Sequence, residues 1–259
     1  YRYIPDAYPD LSAGRLEAAV LDGDVVGGQN VSWVEVPDPM AAHQPTKDQV
    51  SEATGFRGGE GLWYHDGTIV FTTKGDNRIH AIETTSNEYR VIYDAESLGD
   101  ETPLRGVDNL TVEEGSGDLF VAEDGDDMQL VIITPEGVVA PFAQVIGQDD
   151  SEVTGPAFSP DGTRLYFSSQ RGRAGRGITY EVKGPFRGAR PGTAAESTTT
   201  ITSNPADTLE SATAAKAPGD SGDDGSALPV VAGGAAVAAA IAAGAAALAR
   251  RNRGSADPG

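Results

Sequence analysis

Glu60-Gly61-Leu62-Trp63-Tyr64, Asp108-Asn109-Leu110-Thr111-Val112 and Thr154-Gly155-Pro156-Ala157-Phe158 are three versions of one segment, spaced 48 and 46 residues apart. Each runs into a turn: His65-Asp66-Gly67, Glu114-Gly115-Ser116-Gly117 and Ser159-Pro160-Asp161-Gly162. A second apolar run then begins at Ile69, Leu119 and Leu165. Repeats of about 40 to 50 residues that hold several strands are the pattern of propeller blades, because a small sheet buries both faces only by stacking on its neighbours. Three units are present, and Tyr1 to Val36 is read as part of a fourth. Around them, short runs rich in Val, Ile, Tyr and Phe, such as Thr68 to Thr73, Leu119 to Ala122 and Leu165 to Ser168, alternate with Asp-Gly and Pro-Glu-Gly turns. No 3.6-residue period is sustained. The expected fold is all-β, a partial β-propeller of about three to four blades over residues 1–186.

In a propeller the first strand of each blade lies nearest the axis, so the residues opening those strands converge on one mouth of the channel. Here they are Glu60, Asp108 and Thr154, with Glu152 just ahead of the third. Carboxylates from different blades that meet in this way form a hard-cation site of the kind calcium accepts. The alternative is that they are ordinary strand-opening residues bonded to backbone.

Other polar clusters carry two readings each. Lys74-Gly75-Asp76-Asn77-Arg78 is a phosphate contact through Lys74 or Arg78, or a solvated turn. Asp124-Gly125-Asp126-Asp127 is a calcium loop or an acidic turn, and it lacks the full Asp-x-Asp-x-Asp-Gly pattern with its distant Glu. Gln170-Arg171-Gly172-Arg173 with Arg176 is an anion site or a solvated loop. His43, His65 and His80 have no metal-ligand spacing and are read as surface or core residues. A serine-nucleophile elbow, a phosphate-cradling Gly-x-x-x-x-Gly-Lys loop and a His-Glu-x-x-His helix are all missing from the sequence, which disfavours the corresponding hydrolases and nucleotide enzymes.

The 259 residues carry 39 acidic against 19 basic side chains, a formal charge of −20. That balance repels a nucleic-acid backbone and suits divalent cations. There is no cysteine, so an exported protein of this composition has to rely on core burial or bound metal instead of disulfides.

From Arg187 to Ala227 the chain is mostly Thr, Ser, Ala, Pro, Gly and Asp, too poor in apolar surface to offset the entropy of ordering, and is expected to be a disordered stalk. Leu228 to Ala249 then runs 22 residues without a charge before Arg250, Arg251 and Arg253. At ~1.5 Å per residue that length crosses the ~30 Å hydrocarbon core as one helix. The arginine flank places the short tail 250–259 in the cytoplasm, making a single-pass cell-membrane protein with its globular part extracytoplasmic. An exported chain that opens on Tyr1 is expected to be a fragment without its signal.

The segments Glu60-Gly61-Leu62-Trp63-Tyr64-His65-Asp66-Gly67, Val107-Asp108-Asn109-Leu110-Thr111-Val112, Ala122-Glu123-Asp124-Gly125 and Ser151-Glu152-Val153-Thr154-Gly155-Pro156-Ala157-Phe158-Ser159-Pro160-Asp161-Gly162 resemble, in order, the PhoX-type alkaline phosphatase family and its secreted relatives. Leu11 to Ala18 is similar to a strand-opening segment upstream in that family. The resemblance implies a secreted propeller phosphomonoesterase that acts on small phosphate esters with Ca²⁺ and Fe³⁺ at the channel mouth. By the same resemblance Glu60 matches a metal-bridging glutamate, Asp108 a calcium ligand, and Glu123 and Glu152 acidic positions of the metal set. Arg57 stands three residues before Glu60, whereas the family's phosphate-binding arginine stands two before. The family's cysteine ligand to iron has no counterpart, so iron rests on resemblance alone. Two rival readings are a calcium-stabilised surface propeller without catalysis and a calcium-dependent lactonase-type hydrolase.

Overall fold

The computed structural model describes residues 1–99, 102–125, 127–148, 151–172, 175–188 and 230–232. It is built from four antiparallel sheets, each based on a meander of consecutive strands. The first holds β1 (Arg2–Ala7), β2 (Asp10–Leu21) and β3 (Val31–Glu35). The second holds β4 (Gly59–His65), β5 (Thr68–Thr73), β6 (Arg78–Glu83) and β7 (Tyr89–Asp94). The third holds β8 (Val107–Val112), β9 (Leu119–Glu123), β10 (Gln129–Ile133) and β11 (Val139–Val145), and the fourth β12 (Val153–Phe158), β13 (Arg164–Ser169) and β14 (Ile178–Lys183). The sheets follow the sequence repeats, and residues 1–36 supply the extra one. One helical turn, α1 (Ala95–Leu98), is the only α-helix among the described residues, and none of their helices is long and apolar enough to cross a membrane.

Most of the expected stalk, membrane span and tail lies outside the described residues. Three residues of the span are described: β15 (Val230–Ala232) is extended and adds to the free edge of β11, pairing Val230 with Val145 and Ala232 with Ala143. At the near end of the stalk Arg187 reaches back to Asp118, with Nε and Nη2 at 2.9 and 3.0 Å from its two carboxylate oxygens.

The sheets stack because their middle strands are apolar on both faces. Along β9, Phe120 and Ala122 join a core with Leu165, Phe167 and Phe186 of the fourth-sheet side, while Leu119 and Val121 join a core with Val70 and Ile79 of the second sheet. In β10, Leu130 and Ile132 divide from Val131 and Ile133 in the same way. Successive side chains of a strand point to opposite faces, so an unbroken apolar run can be satisfied only between two neighbouring sheets. The second sheet repeats this arrangement, with Val70 toward the third sheet and Phe71 toward a core of Leu21, Val31, Ile82 and Tyr89. Each such Leu, Ile or Phe stabilises the fold by ~1.5–3 kcal/mol.

First strands β4, β8 and β12 lie side by side and are tied by polar contacts at the repeat positions. Thr72 Oγ1 accepts from Gly61 N at 2.7 Å and donates to Asp108 O at 2.6 Å. Asn109 Oδ1 accepts from Thr154 Oγ1 and from Gly155 N at 2.7 and 2.9 Å. A Cβ on Gly61 would come within 2.7 Å of Leu110 N, so only glycine allows β4 to approach β8 here.

Each of these strands is bulged. Glu60 and Gly61 oppose Thr72 alone, and Asp108 and Asn109 oppose Ala122 alone. In β12 the bulge comes one residue later, where Gly155 and Pro156 face Phe167 and Thr154 stays paired with Ser168. Pro156 has no N–H to give the ladder, so the irregularity falls at the proline. Bulges re-aim side chains, and here they turn Glu60 and Asp108 out of the regular pleat.

Candidate metal centre

Asp108 is the bulge residue of β8, Asp124 the first residue past β9, and Glu152 the last before β12. One carboxylate oxygen from each lies within 4.8 Å of the other two. A cation coordinated at ~2.3–2.6 Å spans separations of that size, and carboxylate oxygens are the hard donors calcium prefers. Asp108 and Glu152 are buried and Asp124 is half-buried.

Lys74, the first residue past β5, stands in the middle of the three. Its Nζ is hydrogen-bonded to Asp124 Oδ2, 3.5 Å from Asp108 Oδ2 and 3.9 Å from Glu152 Oε2. Arg171 Nη1 adds a contact to Glu152 Oε1 at 3.5 Å. Burial pushes Glu152 above its ordinary value, and the carboxylates of Asp124 and Asp108 push it further while Arg171 opposes. Burial also works to raise Asp124, but hydrogen bonds from Lys74 and Glu152 outweigh it and leave Asp124 below its ordinary value. The bond to Asp124 raises Lys74 and holds it as the ammonium. Acidic groups crowded in a half-dry place thus sort into a stronger and a weaker acid around the Lys74 ammonium.

The other residues named from the sequence lie nearby or apart. Glu60 is exposed on the bulge of β4 and does not belong to the three-carboxylate group, although Gly61 beside it rests against the Asp108–Asn109 backbone. Arg57 is exposed with no ion-pair partner among the described residues, and its carbonyl accepts from Gly75 N at 2.9 Å, so its side chain starts beside Lys74. Glu123 points away from the cluster, as alternation with Asp124 requires, and is buried. Its Oε1 accepts from Arg105 N at 3.1 Å, its Oε2 has no hydrogen-bond partner among the described residues, and burial raises its pKa.

Two members of the centre, Asp124 and Lys74, stand in sequence clusters whose composition favours a plain turn over a site. The signal that links them is position. Lys74 N bonds to Gly58 O, Asp124 N to Gly106 O and Gln170 N to Glu152 O, so the three residues leave the second strands of successive sheets at equivalent places. The rest of the Lys74 cluster is structural. Asn77 is left-handed and its Oδ1 accepts from Gly106 N at 2.6 Å and Val107 N at 3.3 Å, which sets the start of β8. Arg78 pairs with Asp76 and Asp94 at 2.8 and 3.1 Å.

A cavity of about 850 Å³ opens at the opposite end of the strands, between the second and third sheets, lined among others by His65, Arg90, Glu114 and Leu119. None of the clustered carboxylates borders it, and the chemistry of a hard-cation site belongs to the other end.

Comparison with known proteins bears on the family of this segment. No curated protein matches the chain. Among solved structures, a structural genomics protein of unknown function from Bacteroides thetaiotaomicron aligns at TM-score 0.37 and 10% identity, over 50% of this chain and 32% of that one. The virginiamycin B lyase of Staphylococcus aureus aligns at TM-score 0.30 and 21% identity, over 51% of this chain and 43% of that one. This chain therefore spans less than half the length of either. Residues 70–172, which hold Lys74, Asp108, Asp124 and Glu152, match the alkaline phosphatase PhoX family.

Proposed function

We propose that this chain is part of a metal-dependent phosphomonoesterase, with calcium held by Asp108, Asp124 and Glu152. The observation that carries the reading is that these three carboxylates, from two neighbouring sheets, come together inside the segment that matches the phosphatase family. Bound there, the ion would act as a Lewis acid on a phosphoryl oxygen and offset the charge of the transition state. The chain's own residues hold the site. Thr72 and Asn109 lock β8 between its neighbours and so keep Asp108 aimed inward. Exposed Arg57 on the adjoining rim would offer its guanidinium to the oxygens of a small phosphate ester.

The four stacked sheets are read as successive blades of a β-propeller. Residues 187–227 are read as its stalk, Leu228 to Ala249 as a membrane anchor and 250–259 as a cytoplasmic tail, with the globular part outside the cell. Fractionation of cells expressing the chain with and without 228–249 tests the anchor, which fails if both forms are released alike.

The activity is tested on the full chain with a chromogenic phosphate ester. Calcium-dependent hydrolysis that is lost in Asp108→Asn is expected. A chain that binds calcium and leaves the ester intact favours the second reading, a calcium-stabilised surface domain. That reading draws on Lys74, which already neutralises part of the cluster and so suits a purely structural centre.

A further inference from the structure

Three carboxylates gathered away from bulk water repel one another unless a positive charge stands among them. Lys74 provides that charge. Its ammonium is bonded to Asp124 and lies 3.5 and 3.9 Å from Asp108 and Glu152, so it already occupies the space among the oxygens that a cation would take. A divalent ion ~2.3–2.6 Å from the same oxygens would lie against the ammonium, with like charges in contact. The two cannot share the place. Lys74 also has a way out, since 36% of its side chain faces solvent and its stem is a flexible chain of methylenes.

We propose that Lys74 is a built-in competitor for the metal, so that a divalent cation binds among Asp108, Asp124 and Glu152 only by driving the Lys74 ammonium into solvent. The inference rests on the reading of this centre as a metal site and adds a determinant of its selectivity. Exchanging one ammonium for one monovalent ion gains no charge, whereas exchange for a dication leaves the cluster better neutralised. Sodium and potassium are therefore rejected by the lysine itself. The same exchange keeps the fold intact without metal, because the cluster is never left bare.

Calorimetric titration of the full chain with calcium tests the exchange. Lys74→Met removes the competitor and keeps the stem, and its calcium affinity should rise roughly tenfold or more over the parent. A second measurement needs no variant. Calcium should speed acylation of Lys74 by a mild anhydride, followed by peptide mass spectrometry, relative to Lys47, whose side chain is 78% exposed and paired with Asp48. Calcium bound by the parent but no more tightly by Lys74→Met, or calcium that leaves Lys74 as unreactive as before, overturns the inference alone. If neither chain binds calcium at millimolar concentration, the metal reading of the centre falls and the competition falls with it.

Discussion

Lys74 and Asp124 leave the second strand of successive sheets at equivalent positions, and the ammonium of one is bonded to the carboxylate of the other. The repeat thus places opposite charges at the same structural address in neighbouring sheets, and stacking brings them together. Asp108 and Glu152 meet this pair from the bulge of β8 and the approach to β12.

Asp108→Asn should lower calcium affinity by roughly tenfold or more, because it removes one charged donor from a three-carboxylate set. Glu60→Gln should change it much less, as Glu60 lies outside that set. Calorimetry on both variants ranks them, and equal losses would place Glu60 among the ligands.

Gly106→Ala should damage the centre without touching a ligand. Gly106 has φ +66°, and an added Cβ would fall 2.1 Å from the carbonyl oxygen of Asp124. The backbone that carries Asp124 has to shift, so both calcium affinity and urea stability should fall together, the latter by ~1–3 kcal/mol. Normal affinity in a destabilised variant would show that the shift spares Asp124.

Asn77→Ala leaves the amides of Gly106 and Val107 without their acceptor and puts alanine at φ 51°. A loss of ~1–3 kcal/mol in equilibrium urea unfolding is expected. Asn77→Gly keeps the backbone conformation available, so it should recover only the strain and still lose the hydrogen bonds.

His80 sets a pH dependence of stability. Its ring lies between Phe71 and Tyr89, with Nδ1 2.7 Å from Tyr89 Oη and Nε2 2.8 Å from Thr73 Oγ1, and burial pushes its pKa down to about 4 from 6.5. The unfolded chain therefore takes up a proton before the folded one does. The contribution is complete above pH ~6.5 and is lost as pH falls toward 4, on the order of 3 kcal/mol. Urea midpoints of the parent should fall more steeply over that window than those of His80→Gln. Parallel curves would show that His80 is not the titrating group.

Arg187→Ala strips Asp118, whose side chain is 1% exposed, of its two-pronged partner. Leaving a buried carboxylate unpaired should cost ~2–4 kcal/mol, and Arg187→Lys should restore only part of it, since an ammonium cannot make both bonds. Thermal melts of the three chains check the order.

The sequence by itself determined the all-β class, the repeat and the strands. Apolar runs such as Leu119-Phe120-Val121-Ala122 have to be extended, and unbroken apolar character on both faces requires sheets on either side. It also singled out Glu60, Asp108 and Glu152, because residues that open equivalent strands converge at one end. Only the tertiary structure decided which acids meet. Glu60 and Asp108 hold matching places in the repeat, yet the third carboxylate comes from Asp124, and the charge among them comes from a lysine of the preceding sheet. Glu123, the carboxylate next to Asp124, is turned into the protein by the alternation of the strand. A repeat assigns each residue its place in one sheet, whereas a site is built from residues of different sheets. Their distances depend on bulge position and stacking, which no single stretch of sequence encodes.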